Sequence, residues 1–267
     1  MTQSGQPKKD LPKKMNFIRL HDQYSLRNTV RAGCIEECWL FLSRLANGAE
    51  PDQVRQDLAD GKIFGHFAQS TRMALWKIFR TRYLNISSSW IISELVAASN
   101  YGPQSPEFIS LLYLYFLLRD KLAFDFVTTI IWQKWQKHQL SIAPEDTCHF
   151  LDHLSAENAS LYRITTSSKQ KLCSNTISTL QDFGLIAGKK HRVITRPPVT
   201  PQTAFHLIRI LLDEGLSGKE IIAARDWHIF LWDQQDVSRM LTRLSLEKCI
   251  RYEKSGQTVI VEILENT

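Results

Sequence analysis

Long apolar runs are missing from these 267 residues. The stretch nearest to a membrane segment, residues 108–118 (FISLLYLYFLL), stops at Arg119-Asp120-Lys121, at about half the length a bilayer-crossing helix needs. It reads as a buried helix, and no membrane association is expected. The opening MTQSGQPKKDLPKK has no apolar core of the kind a secretory signal carries, so a cytoplasmic protein is expected. Cysteine is sparse and odd in number, with five residues at 34, 38, 148, 173 and 249. That excludes a disulfide framework and suits a reducing compartment, the thiols serving as small core residues.

Catalytic signatures are equally thin. There is no phosphate-cradling glycine loop of the Walker type and no serine elbow, and the carboxylates form no paired arrangement suited to a nuclease. His149 and His153 stand four apart, as in zinc-binding helices, but the glutamate that would act as base is absent from the motif. Cys34 and Cys38 share a helix face with no second pair at ligand spacing. No catalytic residue, metal or cofactor is expected, and the chain reads as non-enzymatic.

What the sequence does hold is apolar material and unevenly placed positive charge. Hydrophobic residues make up 43%, enough for real cores in one large domain or two to three small ones. The net charge of +6 is concentrated. Residues 1–20 carry five Lys/Arg against one Asp, residues 161–200 carry seven against one, and residues 61–93 carry five with no acid. Blocks of this kind point to a polyanionic partner more than an even excess would.

Local signals give a mainly α fold. Residues 1–24 read as a flexible basic tail. A helical domain follows over 25–140: a helix over 28–45, a short helix from Pro51 to about Ala59, a turn at Asp60-Gly61, and a helix from Ser70 to Leu84. This second pair predicts a helix-turn-helix. Ser105-Pro106, a cap hydroxyl before a proline, starts the apolar core helix. Residues 141–198 then predict a winged-helix-like unit. Ser167 with Gln170 suggests a capping box, Gly184 ends the helix, and 185–186 with 191–195 pair as a short β-hairpin around Ala-Gly-Lys-Lys. Pro197-Pro198 is the linker to a second winged-helix-like unit, 199–267. There Thr200-Pro201 caps a helix, Val237, Met240, Leu241 and Leu244 form an apolar stripe, and two strands flank Glu-Lys-Ser-Gly-Gln.

Candidate nucleic-acid contacts follow from this layout. On the first helix pair, Ser70, Lys77, Arg80 and Thr81 fall within about a third of the helical circumference, with Arg72 beside them. On the hairpin tip, Lys189, Lys190, His191 and Arg192 crowd a turn too small for a core role and suit phosphate neutralisation. The helix leading to that tip offers Ser168, Lys169, Lys171 and Asn175. In the second winged unit Arg239 and Arg243 stand four apart, although Asp236, Glu247 and Glu253 dilute their field. Contacts mainly to phosphates of double-stranded DNA are expected. A protein-interaction scaffold is the alternative, suggested by the mixed charge of 201–267 and by seven tryptophans; exposure of Trp132, Trp135, Trp227 or Trp232 would favour it. RNA binding is a third option.

In order, the stretches FAQSTRMALWKIFRTRYL, LLRDKLAFDFV, TLQDFGLI and DVSRMLTRLSLEKCIRYEKSGQTVIVEIL resemble the BrxA family of bacteriophage exclusion (BREX) phage-defence systems, from about Ser25 to Leu264. The resemblance implies a small, mostly helical, non-enzymatic protein that binds double-stranded DNA and works beside a methyltransferase, ATPases and a phosphatase-like component. It carries over no individual DNA-contacting residue.

Overall fold

The structure, a computed structural model, describes Ile18, Arg19, Tyr24 and residues 32–157 and 164–264. It is mainly helical. In chain order the elements are α1 (Ile35–Ala46), α2 (Pro51–Ala59), α3 (Gln69–Phe79) continuing as a π turn (Arg80–Leu84), α4 (Ser89–Ala98) and α5 (Pro106–Arg119). Then come α6 (Lys121–Phe126), a π turn (Val127–Ile131), α7 (Trp132–Gln136), α8 (Pro144–Glu157) and α9 (Thr166–Asp182). The hairpin β1 (Ile186–Ala187) and β2 (Val193–Ile194) leads to α10 (Pro201–Asp213), α11 (Gly218–Ala223), a 3-10 turn (Arg225–Phe230) and α12 (Gln234–Leu246), and β3 (Ile250–Ser255) and β4 (Thr258–Ile263) form a second antiparallel hairpin.

Starts marked by a hydroxyl and a proline form as capping chemistry requires. Ser105 Oγ accepts from Phe108 N at 3.2 Å, and Thr200 Oγ1 accepts from Thr203 N at 3.2 Å, with Pro106 and Pro201 opening α5 and α10. Other starts differ from expectation. Helix α1 begins at Ile35 because Cys34 is left-handed at φ 57°; residues 28–31 lie outside the described residues. Helix α9 is capped by Thr165, whose Oγ1 accepts from Ser168 N, so Ser167 is already inside the helix.

The apolar 108–118 run becomes α5, the hub of the core. It is buried almost all round, and such a helix must be covered on every side by protein. Tyr83 Oη donates to Leu112 O at 3.5 Å, Phe116 stacks on Phe183 at 5.5 Å, and Tyr113 Oη donates to Ile229 O at 2.7 Å. Ser110 Oγ lies 2.7 Å from Thr203 Oγ1, and Tyr115 Oη lies 2.8 Å from His206 Nδ1. Neighbours from both the 141–198 and 199–267 stretches therefore satisfy this one helix. No helix among the described residues is long and apolar enough to cross a membrane.

Two further differences concern the ends and the cysteines. Most of the expected tail lies outside the described residues, but Ile18 is buried, Arg19 pairs with Glu214 and Asp226, and Tyr24 Oη donates to Asp125 at 3.0 Å. Those three residues are packed, which a flexible arm reaching residue 24 would not be. Cys148 on α8 and Cys173 on α9 form a disulfide, their Cα atoms 5.6 Å apart, where only thiols were expected. The sequence spacing of 25 residues concealed that α8 and α9 pack against each other.

Candidate nucleic-acid interface

The tip of the first hairpin is built on a glycine. Gly188 has φ +83°, and a Cβ there would meet His191 O at 2.2 Å, so a side chain at this position would break the turn. Gln181 of α9 donates to Gly188 O, fixing the tip to the helix before it. Lys189, Lys190 and His191 are exposed; Arg192 is half-buried, and its Nε has no hydrogen-bond partner among the described residues.

The hairpin has a third member that sequence reading missed. Ser141 bridges Val193, Ile194 N donates to Leu140 O at 2.7 Å, and Ile142 N donates to Arg192 O at 3.2 Å. The apolar alternation of Leu140 and Ile142 ahead of Pro144 was the signal that could have found it. Because this pairing is antiparallel about Ser141 and Val193, the exposed Lys137 and His138, the latter at φ 55°, run toward the 195–197 end of the hairpin, away from the tip.

On α9, Lys171 is exposed, but Lys169 is paired with Asp152 of α8. Ser168 and Asn175 are half-buried; Ser168 Oγ accepts from Thr165 Oγ1 at 2.9 Å, and Asn175 O accepts from Thr179 Oγ1 at 2.7 Å. In the second hairpin unit Arg243 pairs with Glu247, and Arg251 pairs with Glu253 and Glu262. Arg239 is 75% exposed yet shares Asp236 with Arg196.

The 61–93 block contributes less than its charge suggests. Arg72 is buried: its guanidinium donates to Leu58 O and Phe67 O, and to Ala59 O at 3.0 Å, closing the end of α2 and the turn after it. It is withdrawn as a contact residue, because those carbonyls occupy its donors. Arg82 is buried against Phe116, and Lys62 pairs with Asp57 and Asp60. Ser70, Lys77 and Arg80 are exposed, Arg80 Nε donating to Asn85 Oδ1. Thr81 is half-buried, with its carbonyl held by the buried Arg119.

The BrxA family model matches residues 22–211. The chain belongs to the BrxA family. As a BrxA-family protein it is a BREX defence component. The match stops near the end of α10, so α11, α12 and the second hairpin lie beyond it, whereas the residue-level resemblance runs on to Leu264. Among solved structures, an uncharacterized protein from Magnetospirillum magneticum matches this BrxA-family chain with a TM-score of 0.60 and 12% identity, over 78% of this chain and 99% of that one. That likeness is one of fold. No curated protein matches.

His149 and His153 are exposed on α8, and no group of three or more metal-ligating side chains occurs among the described residues. Burial pushes the Cys38 thiol well above its ordinary value, which suits a packed thiol rather than a ligand.

Proposed function

We propose that this BREX component is a non-enzymatic accessory protein that grips the phosphate backbone of double-stranded DNA, with the first hairpin tip as its main contact. The observation that carries this is the run Lys189, Lys190 and His191 standing exposed on the hairpin turn, with no acidic partner among the described residues. Cations so placed sacrifice little by approaching phosphates, and they release condensed counterions when they do. The local order supports the same reading. A bridge at Ser141, helices α8 and α9, and a hairpin whose second strand pairs with that bridge follow the element order that a winged helix would have. In such a unit α9 would lie in the major groove, with Lys171 on its accessible face, and Ser70, Lys77 and Arg80 would form a secondary patch.

The test is fluorescence anisotropy of the full chain with a labelled duplex across a salt series. Changing Lys189, Lys190 and Arg192 together to Ala should weaken binding at every salt concentration. It should also flatten the log–log slope by roughly 2 to 3, since each phosphate no longer neutralised is worth about 0.9. An unchanged slope would remove the tip from the interface. Equal competition by structured RNA would widen the partner to both nucleic acids.

The scaffold alternative is weakened by its own criterion. Trp227 is buried and donates to Ile221 O, and the other three are half-buried: Trp132 stacks on His228 at 4.0 Å, Trp135 lies under Arg196, and Trp232 stacks on Trp227. What still favours a protein partner is the self-paired charge of the second hairpin unit. Recovery of a methyltransferase, ATPase or phosphatase-like BREX component from nuclease-treated lysate would support docking at that unit.

A further inference from the structure

We infer that Arg196, Asp236 and Arg239 form a second, preorganised phosphate clamp at the junction of the two hairpin units, so that both units hold one duplex backbone. The proposal rests on the DNA-binding function above and deepens it, because neither the hairpin tip nor the family match assigns this site. Arg196 follows β2, and Arg239 lies in the first turns of α12. Arg196 Nη2 donates to Asp236 Oδ2 at 2.9 Å, and Arg239 Nη2 donates to Asp236 Oδ1 at 2.6 Å. The carboxylate is nearly buried at 8% exposure, while the two guanidinium side chains are 50% and 75% exposed. Asp236 is itself held in place, for its Oδ2 accepts from Asp233 N at 3.3 Å in the cap of α12.

One carboxylate compensates one of two positive charges, which leaves a single uncompensated charge spread over two oriented forks. Each guanidinium has five N–H donors, and none of those left over meets another side-chain acceptor among the described residues. The Trp135 ring lies 5.7 Å from Arg196 Cζ and restricts its plane. Holding both forks before a ligand arrives removes much of the side-chain ordering cost of binding. Planar paired donors of this kind match the oxygens of a phosphodiester. The site lies at the open end of the first hairpin, opposite its basic tip: Arg196 is two residues past Ile194. Across a shallow concavity from Arg239, lined also by Gln234, Gln235 and Ser238, stands Lys254 of the second hairpin.

Two variants separate an oriented clamp from loose charge, both read by duplex anisotropy with the full chain. R196K/R239K keeps the charge and removes the forks, and is expected to bind about fivefold or more weakly at fixed salt. D236N removes a negative charge, so an interface of point charges alone would bind more tightly; the clamp requires weaker binding. Thermal unfolding accompanies both, and if D236N does not fold, the lysine pair decides. Lysine-pair binding within about twofold of the parent would overturn the clamp. The two levels fail differently: a parent chain that ignores duplex in dilute buffer sinks the DNA-binding function itself. Binding that survives the lysine pair but is abolished in the 189/190/192 alanine variant sinks only the junction.

Discussion

A charge count treats Arg72 and Lys189 alike, and folding does not. Arg72 is 8% exposed and spends its donors on three carbonyls around the α2 turn, and a Cβ at Gly61 would come within 3.4 Å of its Nη2. Lys189 stands in solvent on the turn of a short hairpin. The two therefore predict opposite phenotypes. R72A leaves buried carbonyls without donors and should lower unfolding stability by about 3 kcal/mol, read from the denaturant midpoint, with duplex affinity unchanged below the melting transition. Loss of duplex binding by a folded R72A chain would restore it to the interface. Arg119 follows the same logic as Arg72, donating to Thr81 O and Asn85 O where the π turn after α3 leaves carbonyls unmet. No composition or periodicity distinguishes such buried caps from surface cations, because the signal lies in which carbonyls the fold leaves open.

At the scale of elements, the sequence was most legible where local chemistry alone decides. Pro51 with Ala59, Ser105 before Pro106 and Thr200 before Pro201 mark helix ends that depend only on nearby backbone donors, and the structure has them there. The two hairpins were legible from turn glycines between apolar alternation. The strand at 140–142 was not, since it consists of a single bridge and two flanking hydrogen bonds that exist only once β2 arrives from about 50 residues further along the chain. Nor was the pairing of Cys148 with Cys173, which needs α8 laid against α9. Of the proposed interface, the tip was readable from its crowding of cations, whereas Arg196 was hidden between a strand and Pro197-Pro198. The disulfide makes its own prediction. Its Cα separation of 5.6 Å over 25 residues falls in the ordinary range for a bridge, and closing such a loop is worth about 3 kcal/mol in the unfolded chain. Reductant should lower the thermal midpoint of the parent chain and leave that of C148S/C173S unmoved. Alkylation of all five cysteines after denaturation without reductant would show that the bridge does not form in solution.

At the scale of the molecule, α5 decides whether the helical part and the two hairpin units are separable. The three stretches 25–140, 141–198 and 199–267 each carry their own apolar stripe, which on sequence grounds suggests three units. Yet the buried face of α5 is divided among them. Phe116 stacks on Phe183 from the middle stretch; Tyr113 donates to Ile229 O, and Ser110 and Tyr115 meet Thr203 and His206 from the last. Arg19 adds ion pairs to Glu214 and Asp226, joining the N-terminal end to the same last stretch. Removing either hairpin unit would expose apolar and hydrogen-bonding surface of α5 to water, a cost well above the few kcal/mol that keep a domain folded. Denaturant unfolding is therefore expected to be a single transition, the same whether followed by tryptophan fluorescence or by far-UV circular dichroism. The tryptophans suit this comparison, since Trp39 and Trp76 report on the helical part, Trp227 and Trp232 on the last unit, and Trp90, packed on His206 and Arg209, on the contact between them. Single-tryptophan chains that melt at different denaturant concentrations would show independent units. The junction clamp would then join parts free to move against each other, and its preorganisation would have to come from DNA rather than from the fold.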